Sequence, residues 1–107
     1  MNQWDIYSYD PGIGTHPVVI VSHPDRVSNK ADIEVLLCSS QRAARQSRPT
    51  EVLLDGADGL DWETLCKCDL ILAAPKADLV HKRGQVSPER RRQIVSTIIR
   101  SHNWSWL

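Results

Sequence analysis

A chain of 107 residues, 41% hydrophobic and 24% charged, is long enough to close one hydrophobic core and too short for two. Thirteen basic side chains balance thirteen acidic ones, which excludes the strong positive field of many nucleic-acid binders; any RNA site must rest on local clustering of charge. No apolar run approaches the roughly 20 residues that span a bilayer, and three cysteines are too few for a disulfide scaffold.

Trp4 to Tyr9 is rich in aromatic and β-branched residues and predicts a first strand. Asp10-Pro11-Gly12 and Gly14 end it, because proline fixes φ and glycine supplies positive φ. Pro17 to Val21 is a continuous apolar run, suited to a strand buried on both faces. The polar segment His23 to Asp32 reads as a loop or short helix. Ile33 to Cys38 is a third strand, and Ser39 to Pro49, with Arg42, Arg45 and Arg48 among small polar residues, is a mobile loop. Glu51 to Leu54 is a fourth strand, stopped by Asp55-Gly56. Thr64 to Ala73 is a fifth, and Lys82 to Val86 a short sixth behind the turn at Pro75-Lys76.

A helix closes the series. Ser87 is a good N-cap, its hydroxyl suited to accept from first-turn amides; Pro88 fits the first helical position and Glu89 the positive end of the dipole. Ile94, Val95, Ile98 and Ile99 fall within about 140° on the helical wheel, a stripe expected to pack on the sheet, with Arg90, Arg92, Gln93 and Thr97 opposite. Five or six strands followed by one helix predict a mainly β fold with a C-terminal helix, a curved barrel or sandwich. There is no repeat, linker or low-complexity segment, and the start Met1-Asn2-Gln3-Trp4-Asp5 lacks the features of a secretion signal. A single domain over residues 1–107, in a reducing cytoplasmic setting with no membrane association, is the expectation.

Cys66-Lys67-Cys68 has the wrong spacing for a tetrahedral zinc site and no second pair. Residues two apart on a strand share a face, here with Leu70 and Leu72, so the cysteines read as core thiols and no metal site is expected. Lys67 and Asp69 share the other face. His23, His81 and His102 show no ligand spacing; His102 suits a role capping carbonyls at the helix end. Trp104 and Trp106 read as residues that fold back on the core, pack at a dimer seam or stack on bases.

Several segments carry a resemblance in order along nearly the whole chain. They are Asp5-Ile6-Tyr7, Asp10-Pro11, His16-Pro17-Val18-Val19-Ile20-Val21-Ser22, Leu37-Cys38-Ser39-Ser40-Gln41, Pro49-Thr50-Glu51-Val52, Gly59-Leu60, Pro75-Lys76-Ala77-Asp78-Leu79 and Arg83-Gly84-Gln85-Val86-Ser87. The series resembles the MazF/PemK family of toxin endoribonucleases. The resemblance implies a small SH3-like barrel of the MazF/PemK/CcdB type, a homodimer and a cognate antitoxin partner. It also implies cleavage of single-stranded RNA by attack of the ribose 2′-hydroxyl, with no cofactor or metal. Two departures stand out. The family's catalytic arginine falls at His16, and the preceding loop, Pro11 to Thr15, is shorter than usual and lacks the family's acidic residue.

Such cleavage needs a base for the 2′-hydroxyl, an acid for the departing 5′-oxygen and donors for the phosphorane charge. Histidine, with a reference pKa of about 6.5, can move protons where arginine cannot, so His16 and Ser39 are the expected catalytic pair. Thr15, Ser40, Gln41, Arg42, Arg45 and Asp69 are the expected RNA contacts, the arginines through phosphates that fix position without reading sequence. Arg90-Arg91-Arg92 reads as a solvated helix start. Two other functions fit the same fold: a CcdB-like toxin that binds a topoisomerase subunit without catalysis, and a nuclease-dead module that keeps RNA or partner binding.

Overall fold

The computed structural model describes residues 1–104. Six antiparallel strands form one curled sheet: β1 (Asp5–Tyr9), β2 (His16–Ile20), β3 (Asp32–Cys38), β4 (Glu51–Leu54), β5 (Thr64–Pro75) and β6 (Val80–Gln85). Their order is β4-β5-β3-β2-β1-β6, which leaves β4 and β6 at the edges. A short helix α1 (Pro24–Asn29) links β2 to β3, and the terminal helix α2 (Pro88–Ser101) follows β6. The mainly β fold with a C-terminal helix is as the residue pattern predicts.

The sheet has a core on each face, which explains why β2 is apolar after His16 and buried at every position. On the α2 side Ile6, Val19, Leu36, Cys38, Val52, Leu54, Cys66, Cys68, Val86 and Ile94 pack together. On the α1 side Val18, Ile20, Val27, Ile33, Val35, Ala74 and Leu79 do so, with Tyr7, Tyr9 and Leu37 against them. Alternation along each strand delivers successive side chains to opposite cores. β5 is long and bent. Leu36 pairs with Ile71 while Cys38 pairs with Cys66, so the register slips between them and β5 carries extra residues. The slip puts Leu70 out in solvent, 57% exposed, correcting the expectation that it joins the cysteines in the core. Cys66 and Cys68 are fully buried.

Several boundaries differ from the sequence reading. β2 begins at His16, which pairs with Tyr9, and ends before Val21. β6 begins two residues early, at Val80, and β5 runs on to Pro75. Trp4 stands outside β1 with φ 75°. The segment after β2 is helical, and the His23 ring caps it by accepting from the Asp25 amide at 3.0 Å.

α2 sits differently from its predicted placement. The Ser87 hydroxyl makes no cap bond; the Ser87 amide donates instead to the buried Asp58 carboxylate at 2.9 Å. That carboxylate also holds Arg90 at 3.0 Å, and the Arg90 guanidinium reaches Asp55 at 3.1 Å and the Leu53 carbonyl at 2.6 Å. This anchor turns the Arg90 side of the helix inward. Ile94 and Thr97 are buried, Ile98 and Ile99 are half-buried, and Val95 is 44% exposed. The packed face is therefore Arg90–Ile94–Thr97–Ile98, which keeps Ile94 and Ile98 of the predicted stripe and puts Arg90 and Thr97 in the places of Val95 and Ile99. Val95 and Ile99 line an outer groove with Arg91, Arg92, Ser96 and Arg100. At the helix end the His102 ring reaches the Cys68 carbonyl of β5 at 3.1 Å, and Trp104 stacks on it at 4.7 Å between ring centroids. His102 thus ties helix to sheet and does not cap its own helix through the ring. Trp106 lies outside the described residues.

Candidate active site

β2 and β3 bring His16 and Ser39 to one end of the sheet. Val18 pairs with Leu37, which sets the start of β2 beside the end of β3, where Ser39 follows. Alternation puts His16 on the α1 side, in line with Val18 and Ile20, while the Ser39 hydroxyl turns to Thr64 of β5 at 2.9 Å. His16 is 9% exposed. Its Nδ1 lies 2.8 Å from the Cys38 carbonyl oxygen. A carbonyl only accepts, so Nδ1 carries the proton, and in the neutral ring Nε2 is the basic nitrogen. Nε2 makes no hydrogen bond among the described residues and is not sealed from solvent.

The loop before His16 is built around a carboxylate. Asp10 Oδ1 accepts from the Gly12 amide at 2.7 Å and the Gly14 amide at 3.0 Å. Both glycines have positive φ, 108° and 110°, which lets two amides turn toward one oxygen. Those bonds, and to a smaller degree the His16 ring, hold the Asp10 carboxyl below its ordinary range. Asp10 is therefore an anion beside the imidazole, a residue the sequence reading did not place at the site. An aspartate followed by glycines at two and four positions is the local signal for such a turn.

Ser39 follows β3, and its hydroxyl is held by β5. Ser39 Oγ accepts from the Leu65 amide at 3.0 Å and lies 2.9 Å from Thr64 Oγ1. The Ser39 amide donates to the Leu65 carbonyl at 3.0 Å. Thr64 is fully buried, and the sequence reading placed it in the fifth strand but not at the site.

Residues 2–102 match the PemK-like, MazF-like toxin family of type II toxin–antitoxin systems. The chain belongs to that family. Among solved structures, an endoribonuclease in complex with its cognate antitoxin, from a Mycobacterial species, aligns with a TM-score of 0.85 at 24% identity, over 100% of this chain and 99% of that one. Mycobacterium tuberculosis toxin MazF-mt6 gives 0.82 at 19% identity, over 95% and 99%. A Mycobacterial endoribonuclease gives 0.82 at 22%, over 100% and 95%. At these identities the likeness is one of fold. No curated protein sequence matches the chain.

Within this MazF-like frame the other expected contacts divide. Thr15, Ser40, Gln41 and Arg42 are exposed on the loops that leave the His16–Ser39 end. Arg42 shares a cleft with Trp62 and Glu63, and the Ala43 amide ties that loop to the Glu63 carbonyl at 2.9 Å. Arg45 is engaged elsewhere: its guanidinium grips Glu51 through two bonds of 2.8 Å. That pair, helped by the Arg48 amide, pulls the Glu51 carboxyl down to about 2. Asp69 is exposed five residues along β5 from Thr64, roughly 17 Å at the usual strand rise, and is not gathered with the pair. Cys38, Cys66 and Cys68 are free thiols. Hydrogen bonding to Cys38 and Cys68, with burial, pushes the Cys66 thiol well above its ordinary range, so it stays protonated and packs as a small apolar group. Among the described residues no group of three or more histidine, cysteine or acidic side chains is placed to hold a metal ion, and no helix is long and apolar enough to cross a membrane.

Proposed function

We propose that this chain is the toxin of a toxin–antitoxin pair and an endoribonuclease that cuts single-stranded RNA by 2′-hydroxyl attack. The observation that carries the reading is the Nδ1 bond from His16 to the Cys38 carbonyl, which leaves Nε2 as the base. Nε2 takes the proton of the ribose 2′-hydroxyl, whose oxygen attacks the adjacent phosphorus. Negative charge then grows on the non-bridging oxygens, where the Ser39 hydroxyl and the Arg42 guanidinium supply donors. The bond to the 5′-oxygen breaks, and that oxygen takes a proton from the imidazolium or from water. The products are a 2′,3′-cyclic phosphate and a 5′-hydroxyl. No step requires a metal-bound water or a cofactor.

Exposed Thr15, Ser40 and Gln41 are proposed to contact the nucleotides flanking the cut. Arg45 is proposed to shape its loop through Glu51 in place of binding phosphate, and the placement of Asp69 gives an RNA contact there no support. Membership of the family and the antitoxin-bound relative support a proteinaceous antitoxin as partner, a homodimeric state and a cytoplasmic setting, with residues 1–107 acting as one domain.

The test is incubation of the purified protein with a mixed RNA pool in excess chelator, followed by mapping of the ends. Cyclic phosphate and 5′-hydroxyl ends at defined sites are expected. Cleavage that vanishes in chelator and returns with zinc or magnesium overturns the mechanism. If neither the parent nor a folded, dimeric His16→Arg cuts any RNA, the non-catalytic binding reading replaces it.

A further inference from the structure

We infer that Thr64 is a positioning residue that holds the Ser39 hydroxyl as a hydrogen-bond donor toward the RNA phosphate. The inference rests on the ribonuclease reading above and extends it to a residue 25 positions away in the chain. The argument is a count of protons. Thr64 Oγ1 donates its one proton to the Ser39 backbone carbonyl at 2.8 Å. Toward Ser39 Oγ, at 2.9 Å, it can then only accept. Ser39 Oγ already accepts from the Leu65 amide at 3.0 Å, so its own proton is the one directed at Thr64. The other acceptor within reach, the Gln41 carbonyl, is a longer 3.3 Å away.

The arrangement fixes Ser39 Oγ in space and leaves its proton free to rotate. When a phosphate oxygen arrives, the proton turns to it while Oγ keeps the Leu65 amide and Thr64 keeps its bond to the Ser39 carbonyl. No proton passes along the pair, because the chain of donors ends at a carbonyl. Ser39 is therefore a fixed donor, not an acid or a base. Full burial of Thr64 at the start of β5, where it pairs with Leu54, keeps water from replacing its hydroxyl.

The test measures kcat and KM on an RNA oligonucleotide carrying a site that the parent cuts. Thr64→Val keeps the shape and removes the hydroxyl; kcat is expected to fall about 10-fold with KM little changed. Thr64→Ser should restore most of the rate. Added to Ser39→Ala, Thr64→Val should cost nothing further, since the two act through one hydroxyl. Thr64→Cys, a near-isosteric and weaker acceptor, gives the same comparison if valine does not fold. Unchanged kcat in Thr64→Val, or a loss that multiplies with that of Ser39→Ala, overturns the positioning role and leaves the ribonuclease reading standing. A parent that cuts no RNA overturns both.

Discussion

At His16 the deciding feature is one ring nitrogen held by the Cys38 carbonyl and the other left to act. His16→Ala should lower RNA cleavage by about 10²–10⁴-fold while the domain stays folded, the usual contribution of a positioned base. His16→Arg places a donor at the position but no basic nitrogen, so it should also cut more slowly than the parent. Equal cleavage by His16→Ala and the parent would make the histidine a bystander. Glu51 makes a separate prediction. Its folded pKa is depressed to about 2 from an ordinary 4.5, so its contribution is fully present above that ordinary value and is lost as pH falls through the window down to about 2. Solvent around the exposed Arg45 screens the pair and keeps its contribution modest. Glu51→Gln should therefore lower stability at pH 7 and flatten acid unfolding over that window; identical acid profiles in calorimetry would refute it. His16 and Ser39 were legible because one begins β2 and the other follows β3, each inside a recognisable run. Thr64 and Asp10 were not: Thr64 meets Ser39 only through the β3–β5 register, and Asp10 is defined by two amides and not by its neighbours in a motif.

Elements meet most tightly where the 3₁₀ turn Gly56–Asp58 lies under β6 and the start of α2. A β-carbon added to Gly84 would stand 2.1 Å from the Asp58 carbonyl oxygen, and Gly59, at φ 84°, packs back on Gly84 with 3.2 Å to its α-carbon from a β-carbon at Gly59. The backbone must approach this closely because Asp58 holds both Ser87 and Arg90. Gly84→Ala should thus cost about 1–3 kcal/mol, as an overpacked core position does, while Gly56→Ala, with open space around it, should cost far less. Equal denaturation midpoints for the two variants would contradict the clasp. The strands were legible from apolar runs bounded by glycine and proline. The rotation of α2 was not, since the pattern of isoleucines points one way and the Asp55–Asp58–Arg90 network, drawn from residues 32 and 35 positions apart, points another. The exposed Leu70 was hidden for a related reason: strict alternation assumes an even register, and β5 slips against β3.

Over the whole molecule the turned helix leaves an apolar groove on the outside, with Val95 and Ile99 between Arg91, Arg92 and Arg100. A small domain with such a face has apolar surface for a second copy, and a two-fold seam sets the same patch against itself. The proposed homodimer places this groove at the seam. Light scattering at micromolar concentration should then give twice the 12.1 kDa of one chain. Val95→Glu with Ile99→Glu should return the mass to a single chain while leaving the fold intact, because neither side chain belongs to the packed Arg90–Ile94–Thr97 face. Since arginines from both copies would meet around the seam, like-charge repulsion should weaken the dimer at low ionic strength and salt should strengthen it, the reverse of an interface held by ion pairs. A mass of 12.1 kDa at every salt concentration would rule the dimer out. A dimer that survives the double glutamate variant would put the seam on another face, and the exposed Leu70 and Val80 would be the next positions to charge.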